Sequence, residues 1–476
     1  MRLNIKQLCH YTGGTLLVEP LDASKLACGI AWDSRDVCAD DVYVALPGDR
    51  VDGHDFIAAA LGCGAAAVLV SRTPDATTCG LAREMGAAII EVSHTPSAIT
   101  DLARAWREHL SAHVVGLTGS TGKTTTKNLV RDVLSAQFRV VATAGNQNNE
   151  LGVPKTLLNA DPETEVVVVE MGMRGQGQLE QLCAFVKPDL GLITNVGTSH
   201  IELLGSRENI ARAKAELIAA LPAHTGRAFL NAADDYSAFV CEVAGVTSRG
   251  IKLCQFDGSL TPAPDADVFA SDIALDASGC PCFTLHTPTG TAPCALRLRG
   301  LHNVHNACAA AAVGSGLGMD VAAIAAALNT SEPEAGRQEV LHTRDGVTVI
   351  HDAYNANPDS MRASLLLFDA LDVRGKRIAV LGDMGELGDF ALACHEEVGN
   401  LVARLGVDYL ICIGDLATHI SSAAQAQGMA ATCILETQSI AEALTALEMR
   451  LEPEDAVLVK ASHSMGLERI VGGLVN

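Results

Sequence analysis

Positive charge is scarce in this sequence. Its 34 Lys and Arg residues stand against 56 Asp and Glu, a formal net charge of −22. A surface of that sign repels phosphate backbones and anionic headgroups, which excludes a general nucleic-acid or membrane-surface binder. Any anionic ligand must be held locally, by backbone amides, a few placed cations or metal ions. Long apolar runs are missing too: the longest small-residue stretch, "AAALGCGAAAVLV" at 58–70, is too short to span a bilayer. The opening residues, "MRLNIKQLCHYTGG", lack the apolar core of a signal peptide. A soluble, cytoplasmic protein without membrane insertion is expected. The 15 cysteines include no CxxC pair, and the close pair Cys280-Pro281-Cys282 has no second half to complete a metal site. They read as reduced, mostly buried small side chains rather than a disulfide framework. No low-complexity tract or short-period repeat is found.

Apolar residues, by contrast, are plentiful. They fill 48% of 476 positions, enough for the cores of about two to four domains. Residues 1–95 alternate short apolar runs ("DVYVAL", "AAVLVS", "AAIIEV") with polar turns, as in a small α/β unit. Residues 96–330 carry continuous apolar strands, "HVVGLTG", "VVVVEMG" and "DLGLITNVG", separated by helical stretches. In one of these, Leu129 stacks with Val133 and Val130 with Leu134 at helical spacing. Such a pattern predicts a parallel sheet covered on both faces. Between about 245 and 300 the texture alternates and predicts an antiparallel flank, followed by the Ala-rich helix of "NVHNACAAAAVGSGLG". Residues 331–476 repeat the α/β rhythm, with strands that end in Gly or Asp as in a Rossmann-like sheet. The expected fold class is therefore α/β in three domains: a small α/β unit, a central mononucleotide-binding parallel sheet with an antiparallel flank, and a Rossmann-like α/β unit.

The stretch "GLTGSTGKTTTKN", Gly116 to Asn128, leaves an apolar strand and opens a helix. Glycines let backbone N–H groups approach phosphate oxygens, and the helix N-terminus adds positive potential. Lys123 is placed to reach terminal phosphates and Thr124 to ligate magnesium. The strict phosphate-loop pattern would need glycine at position 117, where Leu117 stands. On these residues alone an ordinary strand-to-helix turn stays open. So do plain readings of three residues downstream: Glu170 as a solvated strand-end carboxylate, His200 as a surface or core histidine, and Lys214 as a solvated helix lysine.

The neighbouring words supply a pattern. "TGSTGKTTTKN", followed by "TAGNQNNELGVPKTLL", "VVVVEMGMRGQGQL", "ITNVGTSHIELLGSRENIARAKAEL", "GLHNVHNACAAAA", "GR" at 336–337 and "HDAYNANPDSM", closely resembles the Mur ligase family, in order and over nearly the whole chain. The loop of that family reads T-G-[ST]-x-G-K-[ST], which Thr118 to Thr124 fits. Its members are ATP-dependent, ADP-forming ligases of bacterial peptidoglycan synthesis. "DAYNANP" resembles the branch that adds D-alanyl-D-alanine to UDP-N-acetylmuramoyl-tripeptide. The branch that adds the third amino acid carries D-Y-A-H-T-P at that place. That neighbouring ligase and a non-catalytic nucleotide-binding regulator are the alternatives.

The resemblance implies roles. Thr118, Gly119, Ser120, Thr121, Gly122, Lys123, Thr124 and Thr125 would hold the ATP phosphates. Thr124, Glu170 and His200 would hold magnesium, with Lys214 carbamylated as a further ligand. Asn303 and Asn306 would take the adenine and ribose end, Arg337 would reach the phosphates from the C-terminal side, and Asp352, Tyr354, Asn355 and Asn357 would face the nucleotide. Lys123, Glu170, His200, Lys214 and Arg337 form the catalytic set. Ser34, Arg35 and His54, with Asn148 and Asn149, are the candidates for the UDP-muramoyl substrate. The partners implied are small molecules, handled by a monomer. Ala461 and His463 depart from the Gly and Arg of the usual family form, on the side expected to meet the dipeptide.

Overall fold

The computed structural model describes residues 1–48 and 50–475. Asp49 and Asn476 lie outside the described residues. Three large sheets follow one another along the chain. In the first, the order is Thr15–Val18, Ala88–Glu91, Ala67–Val70, Asp41–Val44, Gly29–Ala31, parallel except for the first pair. Helix Thr95–Arg107 leads out of it and buries Ile99, Leu102 and Trp106. The Trp106 indole N–H donates to the Ala160 carbonyl at 2.9 Å, which ties this helix to the central unit.

The central sheet has nine strands, ordered Gly290–Ala295, Pro281–Thr287, Val268–Leu275, Lys252–Asp257, Arg227–Asn231, Leu190–Ile193, His113–Thr118, Val166–Glu170, Val140–Ala142. Its middle strands are unbroken runs of β-branched and aliphatic residues because both faces are covered: Val166 through Val169 are all fully buried. The antiparallel flank is narrower than the sequence texture predicts. Lys252–Asp257 pairs parallel with both of its neighbours, and only Val268–Leu275, Pro281–Thr287 and Gly290–Ala295 are joined antiparallel. Alternating exposure along the edge strands reports one solvated face, not strand direction.

Helix Lys123–Ser135 and the Ala-rich helix His302–Gly316 lie side by side on this sheet. Small residues let them approach: a Cβ on Gly314 would stand 2.8 Å from Val133 Cγ1. The close approach brings Asn306 to the start of the first helix. The third sheet runs Glu339–His342, Thr348–His351, Ala456–Lys460, Arg377–Gly382, Tyr409–Ile413, Ile434–Thr437, with only the first pair antiparallel.

No helix among the described residues is long and apolar enough to cross a membrane. All cysteines are free, but they are not mostly buried: Cys183, Cys280, Cys294, Cys308 and Cys412 are, whereas Cys28, Cys38, Cys63 and Cys282 are exposed on turns and edges. Phe229, fully buried in a central strand, stacks where a Cβ on Gly316 would come within 2.7 Å of its ring. A Phe229→Ala substitution is expected to cost about 3–5 kcal/mol, seen as an earlier guanidinium-unfolding transition with unchanged far-UV circular dichroism before the transition.

Candidate active site

Strand His113–Thr118 ends at a turn whose conformation the sequence requires. Gly122 has φ +73°, and a Cβ there would meet Asn306 Oδ1 at 2.7 Å; a Cβ on Gly119 would collide with the Thr194 hydroxyl. The turn is fixed from behind. The Ser120 amide donates to the Asn195 carbonyl at 3.1 Å and the Thr121 amide to Asn195 Oδ1 at 3.0 Å. That leaves the first-turn amides of helix Lys123–Ser135, without helical acceptors of their own, to serve an anion. Lys123 Nζ folds back onto the Gly119 carbonyl at 2.8 Å. Burial holds this amine below the ordinary lysine range, with the charge of Glu170 opposing.

Glu170 ends its valine strand fully buried rather than solvated. One carboxylate oxygen accepts from Asn148 Nδ2 at 2.7 Å and from the Thr124 hydroxyl at 3.3 Å. Its other oxygen, Oε2, is buried without a hydrogen-bond partner. An acid and a hydroxyl beside a phosphate cradle, with one acceptor unused, fit a magnesium ion that keeps its remaining coordination for water and phosphate oxygens. Among the described residues no group of three His, Cys, Asp or Glu side chains is assembled for a metal, so a cation here would depend on its ligand's phosphates.

His200 adopts φ +64° and Glu386 of the third unit φ +60°, both left-handed and both non-glycine. His200 Nδ1 sits 2.5 Å from Glu386 Oε2, with ion-pair proximity but without hydrogen-bond geometry. Burial lowers the histidine pKa against the opposing charge of Glu386, and Lys123 and Lys214 add to the lowering. Lys214 is 1% exposed, not solvated, and it does not line the cleft. Burial, reinforced by Lys123, holds its amine well below the ordinary lysine range.

The third unit closes the other side. Arg337 donates from Nη2 to the Thr124 hydroxyl at 3.0 Å, and its guanidinium lies 3.9 Å over the Tyr354 ring. Asp352 is buried in an ion pair with Lys460 at 2.7 Å, and Lys460 also donates to the Asn355 carbonyl. Asn303 and Asn306 form a chain, Asn306 Nδ2 to Asn303 Oδ1 at 2.8 Å, with Thr126 donating to Asn306. Between these walls lies a cleft of about 1520 Å³ lined by Ser120 to Thr125, Asn148, Asn149, Glu170, His200, Asn303, Asn306, Arg337, Asp352, Tyr354, Asn355 and Asn357. Thr118 and Gly119 do not line it. Ser34, Arg35 and His54 do not line it. Arg35 is exposed and forked onto Asp33, while the His54 ring is held by Asp52 at 2.7 Å and accepts from the Ser71 amide at 3.0 Å. His463 lines the cleft, its ring 5.7 Å from that of Tyr354, whereas Ala461 is buried against Gly382.

Sequence reading passed over Lys460, Glu386 and Asn195. Lys460 ends the apolar strand "AVLVK" just as Glu170 ends "VVVVE", so the same signal would have found it. Glu386 and Asn195 sit in loops after strands and carry no comparable mark.

A glycine turn at a helix N-terminus, a buried acid behind it and a second α/β sheet closing over both define a nucleotide-dependent enzyme. Family models match along the chain: "Mur ligase family, catalytic domain" at residues 28–107, "Mur ligase middle domain" at 117–314, and "Mur ligase, glutamate ligase domain" at 336–463. The UDP-N-acetylmuramoyl-tripeptide–D-alanyl-D-alanine ligase of Mycobacterium tuberculosis (strain H37Rv) is 36% identical over 509 residues, covering 100% of this chain and 98% of that protein. A crystal structure of MurF from Acinetobacter baumannii superposes with a TM-score of 0.84 at 31% identity, covering 100% and 99% of the two chains. MurF ligase from Thermotoga maritima, solved in complex with ADP, gives 0.75 at 27% identity, covering 94% and 97%. The chain belongs to the Mur ligase family.

The loop that carries Glu386 depends on a neutral histidine. His395 is fully buried; its Nδ1–H donates to the Ala391 carbonyl at 2.7 Å and its Nε2 accepts from the Met384 amide at 3.0 Å. Burial lowers its pKa from 6.5. The native state therefore binds fewer protons than the unfolded chain, so this contribution to stability is full above the ordinary histidine range and is lost as pH falls below it. Thermal unfolding across pH 5–8 is expected to show wild type losing stability on acidification, with His395→Leu less stable at pH 8 and losing less.

Proposed function

We propose that this chain is an ATP-dependent, ADP-forming ligase that joins D-alanyl-D-alanine to UDP-N-acetylmuramoyl-tripeptide and so yields the pentapeptide precursor of peptidoglycan. The observation that carries the reading is the end-to-end similarity to the mycobacterial ligase of that name, with Thr124, Glu170 and Arg337 converging on one cleft. A carboxylate does not acylate an amine unaided. In the proposed reaction its oxygen attacks the γ-phosphorus of ATP, giving an acyl phosphate and ADP. The dipeptide amine then attacks the acyl carbon, phosphate leaves with the C–O bonding pair, and the amine's proton passes to solvent or a nearby base. Such a reaction relies on positioning and charge neutralisation. Bound magnesium supplies the neutralisation that lets an anionic carboxylate approach a triphosphate.

The residues divide this labour. Thr118 to Thr125 cradle the phosphates, with Lys123 on the terminal ones and Arg337 reaching them from the opposite wall. Thr124 and Glu170 hold the cation, and His200 serves a second cation position. Asn303, Asn306, Asp352, Tyr354, Asn355 and Asn357 face the purine and ribose end. Asn148 and Asn149 meet the muramoyl substrate, and Ser34, Arg35 and His54 are the candidates for its uridine diphosphate end. Residues 1–95 thus bind UDP-muramoyl substrate, 96–330 bind ATP, and 331–476 close over both. Fifteen free cysteines suit a reducing cytoplasm.

Lys214 is the remaining member of the set. Burial lowers the Lys214 pKa and so favours the neutral amine that reacts with carbon dioxide: the nitrogen bonds to carbon, a proton leaves, and the amine becomes a carbamate anion able to ligate metal. Native mass spectrometry at neutral pH is expected to find one carbon dioxide added, and Lys214→Ala is expected to regain activity with short-chain carboxylic acids. Neither adduct nor rescue would remove Lys214 from the metal site.

Purified protein given ATP, magnesium, UDP-N-acetylmuramoyl-tripeptide and D-alanyl-D-alanine is expected to release ADP only when all four are present, with a pentapeptide product by mass. ADP release with UDP-N-acetylmuramoyl-dipeptide and a single amino acid would assign the neighbouring reaction instead.

A further inference from the structure

The segment Gly197–His200 is gripped along its length by the third unit. A Cβ on Gly197 would lie 2.2 Å from Asp359 Oδ2, and the Thr198 amide points at the same oxygen at 3.4 Å. Ser199, 8% exposed, receives a hydrogen bond from Asn357 Nδ2 at 2.7 Å, and His200 meets Glu386. The Ser199 contact continues inward. Its hydroxyl donates to the Ser120 carbonyl at 3.0 Å, inside the phosphate-binding turn, while the Gly197 amide donates to the Ser120 hydroxyl at 2.9 Å.

Asn357 is unusually well oriented for this contact. It is the N-cap of helix Pro358–Ala370: its Oδ1 accepts from the Ser360 amide at 2.8 Å, and the Ser360 hydroxyl in turn accepts from the Asn357 amide at 3.0 Å. With Oδ1 committed to the cap, Nδ2 is the atom left to face Ser199. A helix in the third unit therefore aims one N–H at a hydroxyl whose own proton is committed to the phosphate turn.

We infer that Asn357 is a positioning residue which, through Ser199, ties docking of the third unit to the shape of the phosphate turn at Ser120. The inference rests on the nucleotide-dependent reading above, and it gives Asn357 a role besides facing the nucleotide. With the third unit docked, Asn357 occupies one acceptor position of the Ser199 oxygen and leaves its proton directed at Ser120. Without that link the hydroxyl is free to rotate away, and the turn loses one of its tethers to the wall that carries Arg337 and Tyr354, the Arg337–Thr124 bond being another.

The cap and the relay can be separated. Serine is an equally good N-cap and carries no charge, but it is too short to reach Ser199. The test is ADP binding by calorimetry, with magnesium, to the full-length wild type, N357S, S199A and the double variant. Each single variant is expected to bind ADP about tenfold more weakly, and the double variant no more weakly than either single one, because both break one chain. Thermal unfolding of N357S is expected to stay close to wild type. ADP binding by N357S equal to wild type, or a double-variant loss equal to the product of the two single losses, would overturn the relay while leaving the ligase reading intact. A wild-type chain that fails to bind ADP would overturn both.

Discussion

A buried carboxylate with one oxygen left without a partner governs the arrangement around it. Burying a charged group without compensation costs several kcal/mol, and the chain offsets only part of that at Glu170. Asn148 and Thr124 satisfy one oxygen, the Thr143 hydroxyl accepts from the Glu170 backbone amide, and Lys123 contributes a cation nearby. Oε2 is left over. A valine strand stiff enough to hold that geometry, two glycines that let a helix N-terminus approach, and an Asn195 brace behind the turn all serve the same end. They keep a buried acid fixed beside the glycine turn.

The central sheet supplies only half of the site. Arg337, Tyr354 and Asp352 arrive from a different sheet and are organised there by their own buried pair, Asp352 with Lys460. Beside an apolar patch that includes Ile201, Leu204 and Leu387, polar contacts join the halves: Arg337 to Thr124, Asn357 to Ser199, Asn128 to Glu334 at 2.9 Å, and Glu386 against His200. Polar seams of this kind part more readily than hydrophobic ones, as suits an enzyme that must admit two large anions and release its products. Gly388 belongs to the same seam: a Cβ there would press within 2.8 Å of Glu202 Cγ.

Much of this was legible before any coordinates. The phosphate turn announced itself through a strand, a glycine pair and Lys-Thr opening a helix, and Glu170 through its place at the end of a valine run. What sequence could not supply was environment. Lys214 and Glu170 look like solvated residues in a string of letters, because burial is created by the helices packed over them. Lys460 carried the same strand-end signal as Glu170, yet it escaped notice because a lysine after an apolar run also reads as a solubilising terminus. The direction of Lys252–Asp257 was misjudged because alternation reports which face is wet and says nothing of which way the neighbour runs. Nor does sequence show that the His54 ring, a candidate for substrate, already meets Asp52 and the Ser71 amide.

In the reaction proposed above, the unpartnered Glu170 oxygen takes a divalent cation that arrives with nucleotide. Manganese binding followed by electron paramagnetic resonance, on the wild type and Glu170→Gln with and without ADP, tests it most directly. Weak binding by the free protein is expected, with at least tenfold tighter retention in the presence of ADP and loss of that gain in the variant. Equal manganese retention by wild type and Glu170→Gln in the presence of ADP would contradict it.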